Sequence, residues 1–496
     1  MSKMSPPPLA EPGRTLPKDG PGRTDHEPQR NILTRFSTFM VAFAEKWFPD
    51  AYVFVLLAVV IVAAGAVLHG GTPAQVSMAF GEGFWKLIPF TLQMALVAIG
   101  GYVVAMSPPV ATVMRKVATW PRTGRGAVVM IGLLSIGLSL INWGIAMIFC
   151  GLLVKQIARR SDIRLDYRAA GAAAYLCLGC GFTLGISSSA AQLQANATSI
   201  PSSLLPITGV IGFGQTILTW QNLVIVLVIT LISALVCYFS TPEGAGVRTA
   251  EDLGVSLEMD EPVSRKPTRP GEFLEYSPIL TILIVVLASG WAIETFSSGN
   301  PLIVMSGLNT YNFVFLMLGI LLHWRPRNLI DTFARAMPSA AGVLLQFPFY
   351  AGIAQILTTV TNGHGATLAD RISHWFVGLS IGQTSFSFVV SLYSAFMGFF
   401  IPSAGGKWVI EAPYVMHAAN EVHAHLGWTV MVYNIAESLP NFINPFWMLP
   451  LLGLLGLKSR DLIGYTSVQF FVHLPIMMIL GAVLMQTFTY VPPIHP

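Results

Sequence analysis

This chain is poor in charge. Asp, Glu, Lys and Arg together make up 10% of its 496 residues, against roughly 25% in a soluble domain, so an ordinary soluble protein is excluded. Cysteine is equally scarce. Cys150, Cys177, Cys180 and Cys237 all fall in apolar stretches, which argues against a disulfide framework. Cys177-x-x-Cys180 has no second Cys or His pair beside it and reads as two small helix-packing residues. No P-loop pattern, Gly-x4-Gly-Lys-Ser/Thr, is present, so ATP-driven transport by this chain is not expected. Neither Ser187 nor Ser403, the serines at the two breaks, sits in a Gly-x-Ser-x-Gly elbow, so an intramembrane hydrolase is not expected either. The net charge of +4 is small and its basic residues sit in short loops, a pattern for orientation in a membrane and not for nucleic-acid binding. The expectation is a non-enzyme without cofactor or metal.

What is abundant is apolar. Hydrophobic residues make up 53% of the chain and the mean hydropathy is +0.64. The reading is an all-α polytopic membrane protein. Residues 1–30, rich in Pro, Gly and mixed charge, form a disordered tail with no apolar stretch of signal-peptide type. Residues 31–48 carry Ile32, Leu33, Phe36, Phe39, Met40, Phe43 and Trp47 at helical spacing, an interfacial amphipathic helix. Clear spans of about 20 apolar residues are Ala51–His69, Phe84–Met106, Gln221–Phe239, Ser277–Phe296, Asn309–His323, Pro338–Leu357 and Ser467–Gln486. Basic clusters, such as Arg115 to Arg125 and Lys155 to Arg168, mark cytoplasmic loops and an N-terminus inside.

Two interruptions carry most of the information. Gly126 to Val154 has cytoplasmic ends on both sides, yet as helix it would be roughly 43 Å long at 1.5 Å per residue. That is too short for two crossings of a ~30 Å core, so it predicts a re-entrant hairpin with its tip near Asn142-Trp143-Gly144. In the second half, Gln383–Ile401 enters, breaks at Pro402–Gly406, and returns through Trp408–Ala418. Each hairpin is followed by a broken span: Ala169–Pro201, interrupted between Gly179 and Ser189, and Leu426–Leu457, interrupted by Pro440, Asn441, Asn444 and Pro445. Gln93 and Gln346 recur mid-span before each hairpin. The economical reading is a pair of inverted-topology repeats, 51–239 and 309–487, each with one re-entrant hairpin and one broken helix. Residues 240–276 are a cytoplasmic linker, 277–308 a connecting span and outer loop, and 488–496 a C-terminal tail. The expected total is nine crossings and two hairpins.

Five stretches together resemble the short-chain fatty acid transporter family: Phe80-Gly81-Glu82-Gly83-Phe84-Trp85, Ile141-Asn142-Trp143-Gly144, Gln346 through Gly352, Pro402-Ser403 through Trp408, and Asn444-Pro445-Phe446-Trp447. The resemblance runs from about residue 31 to 487. It implies bacterial inner-membrane carriers of acetate, butyrate, acetoacetate and similar monocarboxylates, with a scaffold and a moving transport domain. The chain departs from the family's usual pattern at Ala404, where a Gly is usual, and at Lys407, where an uncharged polar residue or His is usual. Glu411 and Asn444 stand where the family often has Gln.

The broken helices suit an anion and a cation. Half-helix N-termini present N–H groups to a carboxylate, and half-helix C-termini present carbonyls to a coupling ion. Candidate substrate residues are Asn142, Trp143, Gly144, Ser187, Ser188, Ser189, Gln346, Ser403, Gly405, Gly406, Lys407, Asn441 and Asn444. Trp143, Trp408, Tyr350 and Trp447 are candidate pocket walls. Glu411 and Glu437 are candidates for proton or sodium-ion coupling, since charge inside a membrane points to function by default. Lys407 has three open readings: a fixed charge near the substrate, an i, i+4 ion pair with Glu411, or a place in water at the outer mouth. His423 and His425 read as solvated loop residues. The expected partners are a small carboxylate, the bilayer and a second copy of the chain in a homodimer. A carrier of another organic anion, such as a dicarboxylate, is the rival reading, and an anion channel a more distant one.

Overall fold

The computed structural model describes residues 51–257, 268–297, 301–379, 382–399, 401, 404–444 and 446–493. The expected disordered tail and interfacial helix, and Ser403, lie outside the described residues. Among those residues the fold is all helical, and six helices are long and apolar enough to cross a membrane.

The principal helices of the first half are α1 (Ala51–Leu68), α2 (Pro73–Phe84), α3 (Ile88–Ala105), α4 (Pro108–Val117), α5 (Gly124–Ser139), α6 (Trp143–Ala158), α7 (Tyr167–Ala174), α8 (Ser189–Gln194) and α9 (Trp220–Ser240). A lone helix, α10 (Ile279–Ser297), leads to the second half. There follow α11 (Leu308–His323), α12 (Pro326–Ala336), α13 (Ala341–Thr359), α14 (Leu368–Leu379), α15 (Gln383–Gly398), α16 (Ala404–Glu421), α17 (Leu426–Ser438), α18 (Leu449–Leu455) and α19 (Ser459–Met485).

Local chemistry sets the ends. Thr72 and Gln75 form a capping box at the start of α2, with Pro73 in the first turn. Thr123, Asn142, Asp166, Ser188 and Thr219 each accept a backbone N–H at the start of α5 to α9, satisfying donors that the helix itself cannot. The first discontinuity is graded: a π-helical turn at Cys177–Gly181, a 3-10 turn at Phe182–Leu184, then extended backbone before Ser188. The second runs from the 3-10 turn Leu439–Phe442 to the next at Phe446–Met448.

Contacts in one half recur in the other. α3 packs on α6 as α13 packs on α16; α5 packs on α7 and α9 as α15 packs on α17 and α19. Contacts between halves recur too: α3 lies on α11 and α12, α13 on α1 and α2, α6 on α18, and α16 on α8. The hairpins differ in one respect. The arms α5 and α6 pack along each other, whereas α15 and α16 touch at few points. α15 leans on α17 and α19, and α16 on α13 and α14.

Three boundaries differ from the sequence reading. The span expected at Phe84–Met106 starts at Ile88, because Trp85, Lys86 and Leu87 form a turn before Pro89. The last helix begins at Ser459, eight positions before the expected Ser467; Arg460 and Asp461 hid its first turn from a count of apolar residues. The second hairpin resumes helix at Ala404, so Gly405, Gly406 and Lys407 belong to the first turn of α16 and not to the break.

The tip of the first hairpin fits the first break so closely that a side chain has no room. A Cβ on Gly185 would lie 2.1 Å from the carbonyl oxygen of Leu140 and 2.3 Å from its Cα, and backbone cannot yield as a side-chain end can. Gly137, exposed on α5, has open space around it. Gly185→Ala is therefore expected to prevent accumulation of folded protein, while Gly137→Ala is tolerated. Size-exclusion profiles of the two variants in detergent check this.

Candidate functional site

The two hairpin tips and two breaks meet in the middle of the molecule. Asn142, fully buried, holds the first tip: its Oδ1 accepts the Ile145 N–H (2.9 Å), and its Nδ2 donates to the Tyr311 hydroxyl (3.0 Å). Tyr311 in turn donates to the Ile141 carbonyl (2.6 Å). The Trp143 N–H donates to the Ser187 hydroxyl (3.0 Å), joining tip to break. Gly144 lies against Ala98 and Gly101 of α3. Ser188 accepts the Ala191 N–H as the cap of α8.

The breaks are tied to each other reciprocally. Asn441 Nδ2 donates to the Leu178 carbonyl (3.1 Å), and the Tyr175 hydroxyl donates to the Asn441 carbonyl (3.1 Å). Asn444 Nδ2 donates to the Phe399 carbonyl at the end of α15 (3.2 Å). The Tyr433 hydroxyl donates to the Ala404 carbonyl (2.6 Å).

Between these elements is a small cavity of about 30 Å³, lined by Met94, Trp143, Leu178, Phe182, Ser189, Val343, Phe347, Ala404, Gly405 and Trp447. Trp143 and Trp447 meet edge to face across it, ring centroids 5.7 Å apart. Room for a water or two is all it offers. A Cβ on Gly405 would sit 3.1 Å from the Ser189 Cβ and 3.2 Å from the Phe90 ring, so glycine lets hairpin and break close on each other. A larger cavity, about 500 Å³, lies elsewhere, between α1, α13, α14, α15 and α16. Its walls are aliphatic apart from Tyr393 and Tyr414, whose hydroxyls pair at 3.0 Å. It lacks the convergent polar groups of a carboxylate site, and the small cavity is the better candidate.

A charged cluster stands behind the second tip. Lys407 and Glu411 are fully buried, not in water at an outer mouth. Lys407 Nζ donates to the Ser394 carbonyl (2.7 Å), lies 3.6 Å from Glu411 Oε1 and sits over the Tyr433 ring at 4.7 Å. Glu411 Oε2 accepts the Ser394 hydroxyl at 2.5 Å. Glu437, on α17, is 1% exposed, and neither of its carboxylate oxygens accepts a hydrogen bond.

The structure thus brings Trp143, Ser189 and Gly405 to one cavity, with Gly406 and Lys407 in the same helical turn as Gly405. Asn142, Ser187 and Asn441 are committed to the backbone around it. Gln346 is further off in role: it accepts the Tyr350 hydroxyl (2.9 Å). Its counterpart Gln93 joins Asn309 and Ser199. Trp408 and Tyr350 are buried away from the cavity lining. Sequence reasoning missed Tyr311, Tyr433 and Ser394; an isolated Tyr or Ser in a span carries no signal of its partner. His425 is not a solvated loop residue. It is buried, caps α17 by accepting the Trp428 N–H (3.0 Å) and stacks on Phe488.

Discontinuous helices around a small central cavity, within a bundle of apolar helices, define a multi-pass helical membrane transporter. The relatives agree. The family model described as short chain fatty acid transporter matches residues 32–485, and the chain belongs to that family. It is 30% identical over 436 residues to a protein of Escherichia coli K12 provisionally named a short-chain fatty acid transporter, covering 88% of this chain and 96% of the relative. A Haemophilus influenzae protein with the same provisional name is 29% identical over 455 residues, 90% of this chain and 99% of that one. Among solved structures, the fold is shared with MtrF of Neisseria gonorrhoeae, described with a class of antimetabolite efflux pumps (TM-score 0.58, 15% identity, 93% of this chain and 100% of that one). It is shared also with the YdaH transporter of Alcanivorax borkumensis, described as having an unusual topology (TM-score 0.53, 16% identity, 92% and 98%).

Asn142→Ala removes a helix cap and a bond to Tyr311. A cap alone is worth about 1–2 kcal/mol, so the variant is expected to melt several degrees below the parent in detergent. Intrinsic-fluorescence unfolding measures it.

Proposed function

We propose that this chain is a secondary active transporter of short-chain monocarboxylates such as acetate, butyrate and acetoacetate. It works by alternating access between inverted repeats in a bacterial cytoplasmic membrane, with its N-terminus inside, and is driven by a proton or sodium-ion gradient. A homodimer is part of the same proposal.

The observation that carries this reading is the convergence of both hairpin tips and both breaks on one small cavity walled by Trp143 and Trp447. The repeated contacts support two equivalent halves, the arrangement used for alternating access around a central site. The aromatic walls of the cavity favour a short acid, for which tip and break must part to make room. Its polar reach is limited to hydroxyl and backbone groups around Ser189 and the first turn of α16. Lys407 is the fully buried Lys or Arg among the described residues, and Glu411 already offsets it. A dicarboxylate would ask for a second cation. In the proposed cycle, tip and break separate, admit the acid between the two tryptophans, close as seen here, and reopen on the other face.

Uptake of labelled butyrate into proteoliposomes, with empty liposomes subtracted, tests this. Saturable uptake and counterflow are expected, and acetate is expected to compete better than succinate. Current at high turnover without counterflow would indicate a channel. Trp447→Ala is expected to shift preference toward longer acids. A methylene is worth about 0.8 kcal/mol when buried, so each added carbon should gain several-fold in competition relative to the parent. Unchanged chain-length preference would place the substrate elsewhere.

A further inference from the structure

We propose that the ion coupled to transport is a proton and that Glu437 carries it, a step that rests on the carboxylate-carrier reading above. The argument is one of charge and hydrogen bonding. Two carboxylates and one ammonium share a buried volume: Glu411 and Lys407 on α16, Glu437 on α17. Glu411 has the Ser394 hydroxyl at 2.5 Å on Oε2 and the Lys407 ammonium at 3.6 Å from Oε1, which accepts no hydrogen bond. Glu437 has no donor on either oxygen, and Lys407 faces it without forming an ion pair. Both its oxygens are buried without a donor, an arrangement that is costly for an ionised group and far less so for the neutral acid. One ammonium balances one carboxylate, and the second carboxylate holds a proton.

Among the described residues, the surroundings leave no other neutralising group. From α16, Lys407 and Glu411 face Glu437; Tyr433 lies one turn before it on α17, and Tyr175 faces it from the end of α7. On α15, Tyr393 pairs with Tyr414 beside Glu411. On α19, His473 is turned to Ser233 and the Gln469 carbonyl. Cys177 and Cys180, in the π-helical turn, contact the carbonyls of Ala174 and Leu176. No metal-binding cluster of His, Cys, Asp and Glu occurs among the described residues.

The cluster reaches the cavity through one side chain. Lys407 sits over the Tyr433 ring, and the Tyr433 hydroxyl holds the carbonyl of Ala404, a cavity residue. With Glu437 ionised the cluster bears a net negative charge and repels a carboxylate. With Glu437 protonated that charge is gone and the anion can enter. One proton then accompanies one monocarboxylate, so the full transport cycle moves no net charge.

The test compares parent, Glu437→Gln and Glu411→Gln. Gln imitates the neutral acid. Glu437→Gln is therefore expected to melt with the parent, while Glu411→Gln, which strands Lys407, melts several degrees lower. An infrared carboxylic-acid C=O band of the parent at neutral pH is expected to vanish in Glu437→Gln. In proteoliposomes, parent butyrate uptake should rise with an inward proton gradient, ignore an imposed membrane potential and ignore sodium. Glu437→Gln should keep counterflow and lose the response to the proton gradient. A Glu437→Gln variant that unfolds, loses counterflow or still responds to the proton gradient overturns the proposal, as does a sodium requirement or the absence of the acid band. Failure of the parent to carry butyrate at all would sink the carrier reading instead; the melting and infrared comparisons, which need no substrate, would still decide whether Glu437 holds a proton.

Discussion

A backbone that leaves the helix inside a bilayer must find its hydrogen bonds within the protein, since hydrocarbon supplies none. This constraint shapes the centre of the molecule. Four segments break there, and each is completed by another: Ser187 receives the Trp143 N–H, Tyr311 supplies the Ile141 carbonyl, and Asn441 and Tyr175 bridge the two breaks in both directions. None of the four could stand in lipid alone. The groups that make the site are thus the groups that make the fold hold, and the halves cannot be separated without exposing backbone on both.

The same constraint explains why so few polar residues at the site are free for a ligand. Asn142, Ser187 and Ser188 are spent on main-chain atoms, as is Asn441 Nδ2, while Asn441 Oδ1 is buried without a partner. What remains near the cavity is small: Ser189, glycine backbone and two tryptophan faces. This is the inventory that the proposed short acid would meet. Behind it, the Lys407–Glu411 pair gives the second hairpin a feature without a counterpart in the first, where the matching stretch of α6 is apolar. The two halves are alike in packing and unlike in charge.

Much of this was legible in the sequence, for reasons that can be located. The helix interruptions showed because Asn142-Trp143-Gly144 stands inside the apolar run from Gly126 to Val154, and because Pro402 is a poor continuation of the helix before it. The breaks showed as Gly and Ser in one half and Pro and Asn in the other. What stayed hidden was partnership. Nothing in the order of residues pairs Tyr433 with Ala404, or tells that Gln346 faces its own helix neighbour Tyr350 while Gln93 reaches Asn309. The start of α16 was misplaced because Gly405 and Gly406 look like breakers. In the fold they are helical, and their lack of a side chain serves the closeness of Ser189 and Phe90. His425 was taken for a loop residue because capping is a matter of one hydrogen bond, invisible to hydropathy.

The two hairpins are unequal: one has its arms packed together, the other has them apart, with α16 handed to neighbouring helices and an aliphatic void of about 500 Å³ beside it. In molecules built from matched halves, such inequality is itself information about the missing conformer. The far end of the proposed cycle needs no new architecture; it is reached when the halves exchange shapes. The first hairpin would then stand open against α3 and α4, with a void on its own side, while the second closes up. Under the proposed cycle the geometry seen here would be one of a mirror pair, and a coordinate set for its twin would follow from giving residues 51–239 the arrangement now held by 309–487.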